Sequence, residues 1–164
     1  MRLLFFLFLL GVQLHSQPGV WYKNLDVALE NPDLVFQLQL KRKGLDAFPA
    51  DLNKFPNLQK LDLSRNKIQV FPDSLKNLVQ LIFLDLSRNQ INQIPNSINQ
   101  LEMLEYLDLW NNDIDALPDQ MSQLSRLSYL DIRGVSMSQV NYNNYLEMMS
   151  GIEFYMSPPC NCKE

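Results

Sequence analysis

The chain has 164 residues, with 14 basic side chains, 18 acidic ones, one histidine and two cysteines. That length suits a single domain, and the net charge of -4 argues against a nucleic-acid partner, whose phosphates need a basic face. The one histidine, His15, lies in an N-terminal segment that reads as a signal peptide, so the mature chain has no Ser-His-Asp or Cys-His arrangement and no imidazole for zinc.

Residues 1–16, MRLLFFLFLLGVQLHS, carry one basic residue, Arg2, then an apolar run from Leu3 to Val12 and a short polar stretch. The run is too short to cross a bilayer as a helix and has the length of a signal-peptide core. Cleavage is expected after Ser16. It removes one of the 14 basic side chains and no acidic one, leaving a net charge of -5. No later segment is apolar for long enough to span a membrane, so no stable membrane insertion is expected. The mature protein is expected to be exported: periplasmic or secreted if bacterial, extracellular otherwise.

Residues 17–34 read as an N-terminal helical cap. In YKNLDVALENPD the apolar Leu25, Ala28 and Leu29 share a helical face, and Asn31-Pro32 stops the helix. Residues 35–134 then repeat themselves, in units starting at Val35, Leu58, Leu81, Leu104 and Leu127. Three and five positions into each unit lie Leu38/Leu40, Leu61/Leu63, Leu84/Leu86, Leu107/Leu109 and Leu130/Ile132. Eight positions in lie Asn66, Asn89 and Asn112, replaced by Lys43 in the first unit and Val135 in the fifth. Proline recurs as Pro49, Pro72, Pro95 and Pro118.

The paired apolar residues alternate with polar neighbours, the period-two signature of a strand with one buried face. One such unit cannot bury its leucines alone; stacked units bury them against each other. The recurring asparagine fits the turn out of the strand, where its amide pairs backbone groups that would otherwise be buried unpaired. Proline suits the start of a short helical or 3₁₀ return segment. Residues 135–157 read as a C-terminal cap, with a helix around Tyr145 to Met149 and a degenerate sixth strand through Ile152 and Phe154. Spacing from Met149 aligns Gly151 with Tyr129, Glu153 with Asp131, and Tyr155 with Arg133. The tail 158–164 holds both cysteines, Cys160 and Cys162. They read either as a strained or intermolecular disulfide, or as thiols on an untethered tail.

This pattern, LxxLxLxxNxIxxhPxxLxxLxx with h apolar, resembles the leucine-rich repeat family in its 23-residue class. The repeat type is similar to that of the plant intracellular Ras-group and Ras-suppressor-like proteins, which lack signal peptides. The stretch YKNLDVALENPDLVFQLQL looks more like small exported leucine-rich repeat proteins of Bacteroidetes-type bacteria. The four-cysteine caps of many extracellular relatives are missing. The resemblance implies an α/β solenoid: a parallel β-sheet on the concave face, short helical or 3₁₀ turns on the convex face, and helical caps at both ends. It also implies a protein-binding scaffold without chemistry or cofactor.

In such a solenoid the outward strand positions carry the binding information. One column reads Gln37, Lys60, Phe83, Tyr106, Tyr129; the next Gln39, Asp62, Asp85, Asp108, Asp131; the third Lys41, Ser64, Ser87, Trp110, Arg133. Phe83, Tyr106, Trp110 and Tyr129 are the expected exposed aromatic cluster, of the residue types enriched in binding hot spots. Asp85, Asp108 and Asp131 would orient the partner, with Arg133 beside them. The alternative to packing a protein is stacking on a carbohydrate or cell-wall glycan. The aspartates also read as a solvated face, the asparagines as a structural ladder, and no metal site is expected. Arg42, Arg65 and Arg88 read as partial neutralisation of the acidic field at one rim.

Overall fold

The computed structural model describes residues 19–135 and 139–157. Residues 1–16, which the sequence reads as a signal peptide, and the cysteine tail lie outside them. One seven-stranded sheet runs through the molecule in sequence order, every pairing parallel. Its strands are β1 (Trp21–Tyr22), β2 (Gln37–Gln39), β3 (Lys60–Asp62), β4 (Phe83–Asp85), β5 (Tyr106–Asp108), β6 (Tyr129–Ile132) and β7 (Glu153–Met156). Register pairs Leu38, Leu61, Leu84, Leu107 and Leu130 side by side, so each apolar column becomes one layer of the core.

Each return segment is a 3₁₀ turn: Ala50–Lys54, Asp73–Asn77, Asn96–Gln100 and Asp119–Gln123. The repeated proline precedes each one, and its carbonyl accepts the first turn bond, from Leu52 N, Leu75 N, Ile98 N or Met121 N at 3.0–3.2 Å. Its missing N–H costs nothing there, because the first donors of a helix have no partner inside it. The next apolar columns, from Leu52 to Met121 and Phe55 to Leu124, are buried against the strand leucines. The core is therefore a continuous stack, each layer covering the next.

The ends hold two surprises. Helix α1 (Leu25–Glu30) forms where expected, capped by Asn24 Oδ1 on Asp26 N, with Ala28 fully buried. Ahead of it, β1 adds a strand, pairing Trp21 with Gln37 and Tyr22 with Leu38; two residues carry no periodicity to read. At the other end, α2 (Gln139–Met148) leads into β7, and the register differs from the sequence expectation. Tyr129 pairs with Glu153, Leu130 with Phe154, and Asp131 with Tyr155. The strand sits two residues further along than spacing from Met149 implies. Met149 is buried, but Gly151, at φ +100°, turns the chain once more before the strand starts. A shift of two keeps the inward face inward and changes only the column neighbours. No helix among the described residues is long and apolar enough to cross a membrane.

Candidate interaction surface

The asparagines form a ladder inside the turns. Asn66 Oδ1 accepts from Lys43 N (2.9 Å) and Leu45 N (3.1 Å), Asn89 Oδ1 from Ile68 N (3.1 Å), and Asn112 Oδ1 from Ile91 N (3.0 Å). Their Nδ2 groups donate to the carbonyls on either side. Leu63 O thus accepts from both Asn66 and Asn89, and Leu86 O from both Asn89 and Asn112. Among the described residues no buried side-chain nitrogen or oxygen lacks a partner. The ladder holds the strands in register and leaves their outward positions free to vary.

On that outward face, aromatic rings stack along the sheet. Phe83 lies parallel to Tyr106 at 4.4 Å between centroids, and Tyr106 to Tyr129 at 4.2 Å. The strand spacing of about 4.8 Å makes this the natural packing of in-register rings. Tyr155 continues the row at 5.5 Å from Tyr129, a consequence of the β7 register. Trp21 lies outside the 23-residue units but its pairing with Gln37 puts it at the head of this column, and it reaches past Gln37 and Lys60 to touch Phe83 edge-on at 6.2 Å. Gln37 is buried beneath that crossing. The only signal of it in the sequence is a tryptophan and a tyrosine beside an apolar valine. Phe83, Tyr106 and Tyr129 are half-buried rather than open, since each ring covers its neighbour. Trp110 stands apart from the row, under the Arg88 guanidinium at 4.4 Å.

The aspartates have a local task. Oδ1 of each accepts from the backbone N–H two residues on: Asp62 from Ser64 and Asp85 from Ser87 at 2.9 Å, Asp108 from Trp110 at 2.9 Å, Asp131 from Arg133 at 3.0 Å. Such a bond turns the chain out of the strand. Their second oxygens divide the column. Asp62 Oδ2 receives Gln39 Nε2 at 3.0 Å, and Asp131 is buried beneath a two-pronged contact from Arg133. Asp85 and Asp108, in the middle, have no donor on Oδ2 among the described residues.

Burial pushes the Asp108 carboxyl up to about 6, aided by the charges of Asp85 and Asp131 and opposed by the Trp110 N–H. Burial likewise raises Asp85. The Tyr106 phenol is held far above its ordinary range by burial first and the Asp108 charge second. Because the folded Asp108 holds its proton more tightly than the unfolded chain does, its ionisation opposes folding at pH 7; the penalty shrinks as pH falls through about 6 and is gone only below the unfolded value of 3.8. Asp108→Asn keeps the acceptor for Trp110 N and removes the charge. It should stabilise the protein by about 1 kcal/mol at pH 7.5, the full shift being discounted for partial exposure. The gain should shrink as pH falls below about 6 and vanish only below 3.8 in a melting series; a gain independent of pH would remove charge as its cause.

A solenoid with one parallel strand per 23-residue unit, an asparagine ladder and 3₁₀ returns defines a class of repeat scaffold. The family described as leucine-rich repeat region matches residues 50–161, and the chain belongs to the leucine-rich repeat family. Among solved structures it is similar to a leucine-rich repeat protein of Leptospira interrogans, at 26% identity over 86% of this chain and 49% of that one, with a TM-score of 0.48. It is also similar to an internalin of Listeria monocytogenes, at 20% identity over 75% of this chain and 35% of that one, with a TM-score of 0.56. The chain thus spans about half or less of the length of either protein. No curated protein matches it. Leucine-rich repeat domains are generally protein-interaction scaffolds and typically not enzymes.

Proposed function

We infer that the chain is an exported protein-binding module that grips its partner along the row Trp21, Phe83, Tyr106, Tyr129 and Tyr155. The observation that carries this is the row itself. Five rings lie on the face of the sheet away from a core already filled by leucines. Beside them, Asp85 and Asp108 each keep a carboxylate oxygen unpaired among the described residues, at the place where a partner's donor would settle. Aromatic side chains give large contact area for little lost freedom.

Stacking disfavours the glycan alternative. A sugar needs an open ring face, and both faces of Tyr106 are taken, by Phe83 at 4.4 Å and Tyr129 at 4.2 Å. What the row offers is ring edges and hydroxyls, which suit a protein surface. Affinity capture from the source cells and their medium tests the reading. Wild-type bait is run beside Tyr106→Ala/Tyr129→Ala bait shown by circular dichroism to be folded. A protein recovered by the first and lost by the second is the expected result. Equal recovery would move binding off this face, and recovery abolished by glycosidase but not protease would restore the sugar reading. Export is tested separately, by the N-terminal sequence of the protein recovered outside the cytoplasm, expected to begin at Gln17.

A further inference from the structure

One column at the rim of the sheet is built at a cost. Among the described residues, the four non-glycine residues with positive φ are Arg42 (56°), Arg65 (59°), Arg88 (56°) and Asn111 (56°), one per repeat, and Gly134 (83°) continues the column. Glycine and asparagine fit that left-handed turn; arginine, with its Cβ against the carbonyl, does not. Backbone bonds lock the column in line, from Arg42 N to Ser64 O, Arg65 N to Ser87 O, Arg88 N to Trp110 O and Asn111 N to Arg133 O, at 2.7–3.1 Å. Three guanidinium-bearing residues therefore succeed one another at about the strand spacing of 4.8 Å.

Their charges repel. The Arg65 guanidinium is lowered below its ordinary pKa by Arg42 first and Arg88 second. Lys43 and Lys67 flank the same turns and are exposed. None of these five cations makes an ion pair among the described residues, where the pairs are Lys54–Asp51 and Arg133–Asp131. The neutralising role expected of the arginines is thus not realised as direct ion pairs with the aspartate column. Arg88 is held over Trp110; the Asp85 charge offsets only part of the repulsion on Arg65, and among the described residues neither Arg42 nor Arg65 makes an ion pair or a ring contact. Asn111 shows that the turn itself needs no arginine. Costs of this kind, repeated in consecutive units, point to something outside the chain.

That something is anionic, and a guanidinium fork matches a carboxylate in two-point contact. A long polyanion is disfavoured: the net charge is -4, and the column Asp62, Asp85, Asp108, Asp131 runs alongside the rim. Nucleic acid, a sulfated glycan or an anionic membrane would extend its charge over that column and be repelled. A short stretch of a protein places a few carboxylates and stops. We propose that Arg42, Arg65 and Arg88 form a carboxylate-binding rim for a short acidic segment of a protein partner. The rim is a separate surface from the aromatic row and does not depend on it.

The test uses the purified chain and a fluorescent hexaglutamate peptide at low salt. Arg42→Asn/Arg65→Asn should weaken peptide binding by about fourfold to twenty-five-fold, two contacts at about two- to fivefold each. Lys54→Gln/Arg126→Gln, which removes the same charge elsewhere, should leave it unchanged. The asparagine variant should also melt higher than wild type, because strain and repulsion are relieved. Loss of binding with gain of stability is the signature of residues kept for a ligand. The proposal is overturned if wild type does not bind hexaglutamate, if both double variants bind it alike, or if the asparagine variant melts lower. Tighter binding of a heparin fragment, an oligonucleotide or phosphatidylserine vesicles than of the peptide would also overturn it. An intact rim with a silent aromatic row, or the reverse, separates this proposal from the concave reading.

Discussion

Asn89→Ala should cost about 2–4 kcal/mol of unfolding free energy, more than truncation of any exposed residue on the concave face. The variant leaves Ile68 N, buried and bonded only to Asn89 Oδ1, without an acceptor. One such orphan costs about 1–3 kcal/mol. Leu63 O and Leu86 O each lose one of two donors and keep the other, from Asn66 and Asn112, so they add about 0.5–1.5 kcal/mol apiece at most. Asn89→Asp should be at least as harmful despite its identical shape. It retains the acceptor but aims a second carboxylate oxygen at two carbonyls. Urea unfolding with an unchanged m-value measures the loss. A deficit below about 1 kcal/mol for alanine, or an aspartate variant as stable as wild type, would show that the ladder is dispensable.

Asn89 also shows why the solenoid is readable from sequence. Its column recurs every 23 residues because each copy solves the same problem, and stacking forces the copies into phase. Leucines, prolines and asparagines therefore announce strand, return and core together. Features that occur once have no such support. Strand β1 is two residues long, and Trp21 joins the aromatic row through a side chain that passes the Gln37 and Lys60 positions, which depends on side-chain direction rather than spacing. The β7 register turns on where Gly151 bends the chain. The aspartate column is visible, but a carboxylate serving the backbone two residues on reads in sequence like one facing water. Left-handed backbone at Arg42, Arg65 and Arg88 is hidden in the same way, since arginine does not advertise a positive φ.

Tyr145→Phe is the second substitution expected to act strongly, and it should act locally. From α2 the phenol reaches back 28 residues, accepting from Leu117 N at 2.8 Å and donating to Leu117 O at 3.0 Å. Both tyrosine and leucine are 5% exposed. Burial raises the phenol's pKa, so it is neutral and can donate throughout the ordinary pH range. Phenylalanine keeps the ring and its packing but strands both backbone groups, for about 2–4 kcal/mol. In a repeat stack each unit contacts only its neighbours, so the cost falls on the C-terminal cap and not on β3 to β5. Hydrogen exchange should accelerate in α2 and β7 while the amides of β3 and β4 keep their protection; uniform acceleration would show that the cap unfolds only with the whole chain. Because β7 carries Tyr155 onto Tyr129, the same variant should loosen the C-terminal end of the aromatic row without altering one of its rings. A hydroxyl bonded on the far side of the core thus sets how much of the candidate binding face is in place.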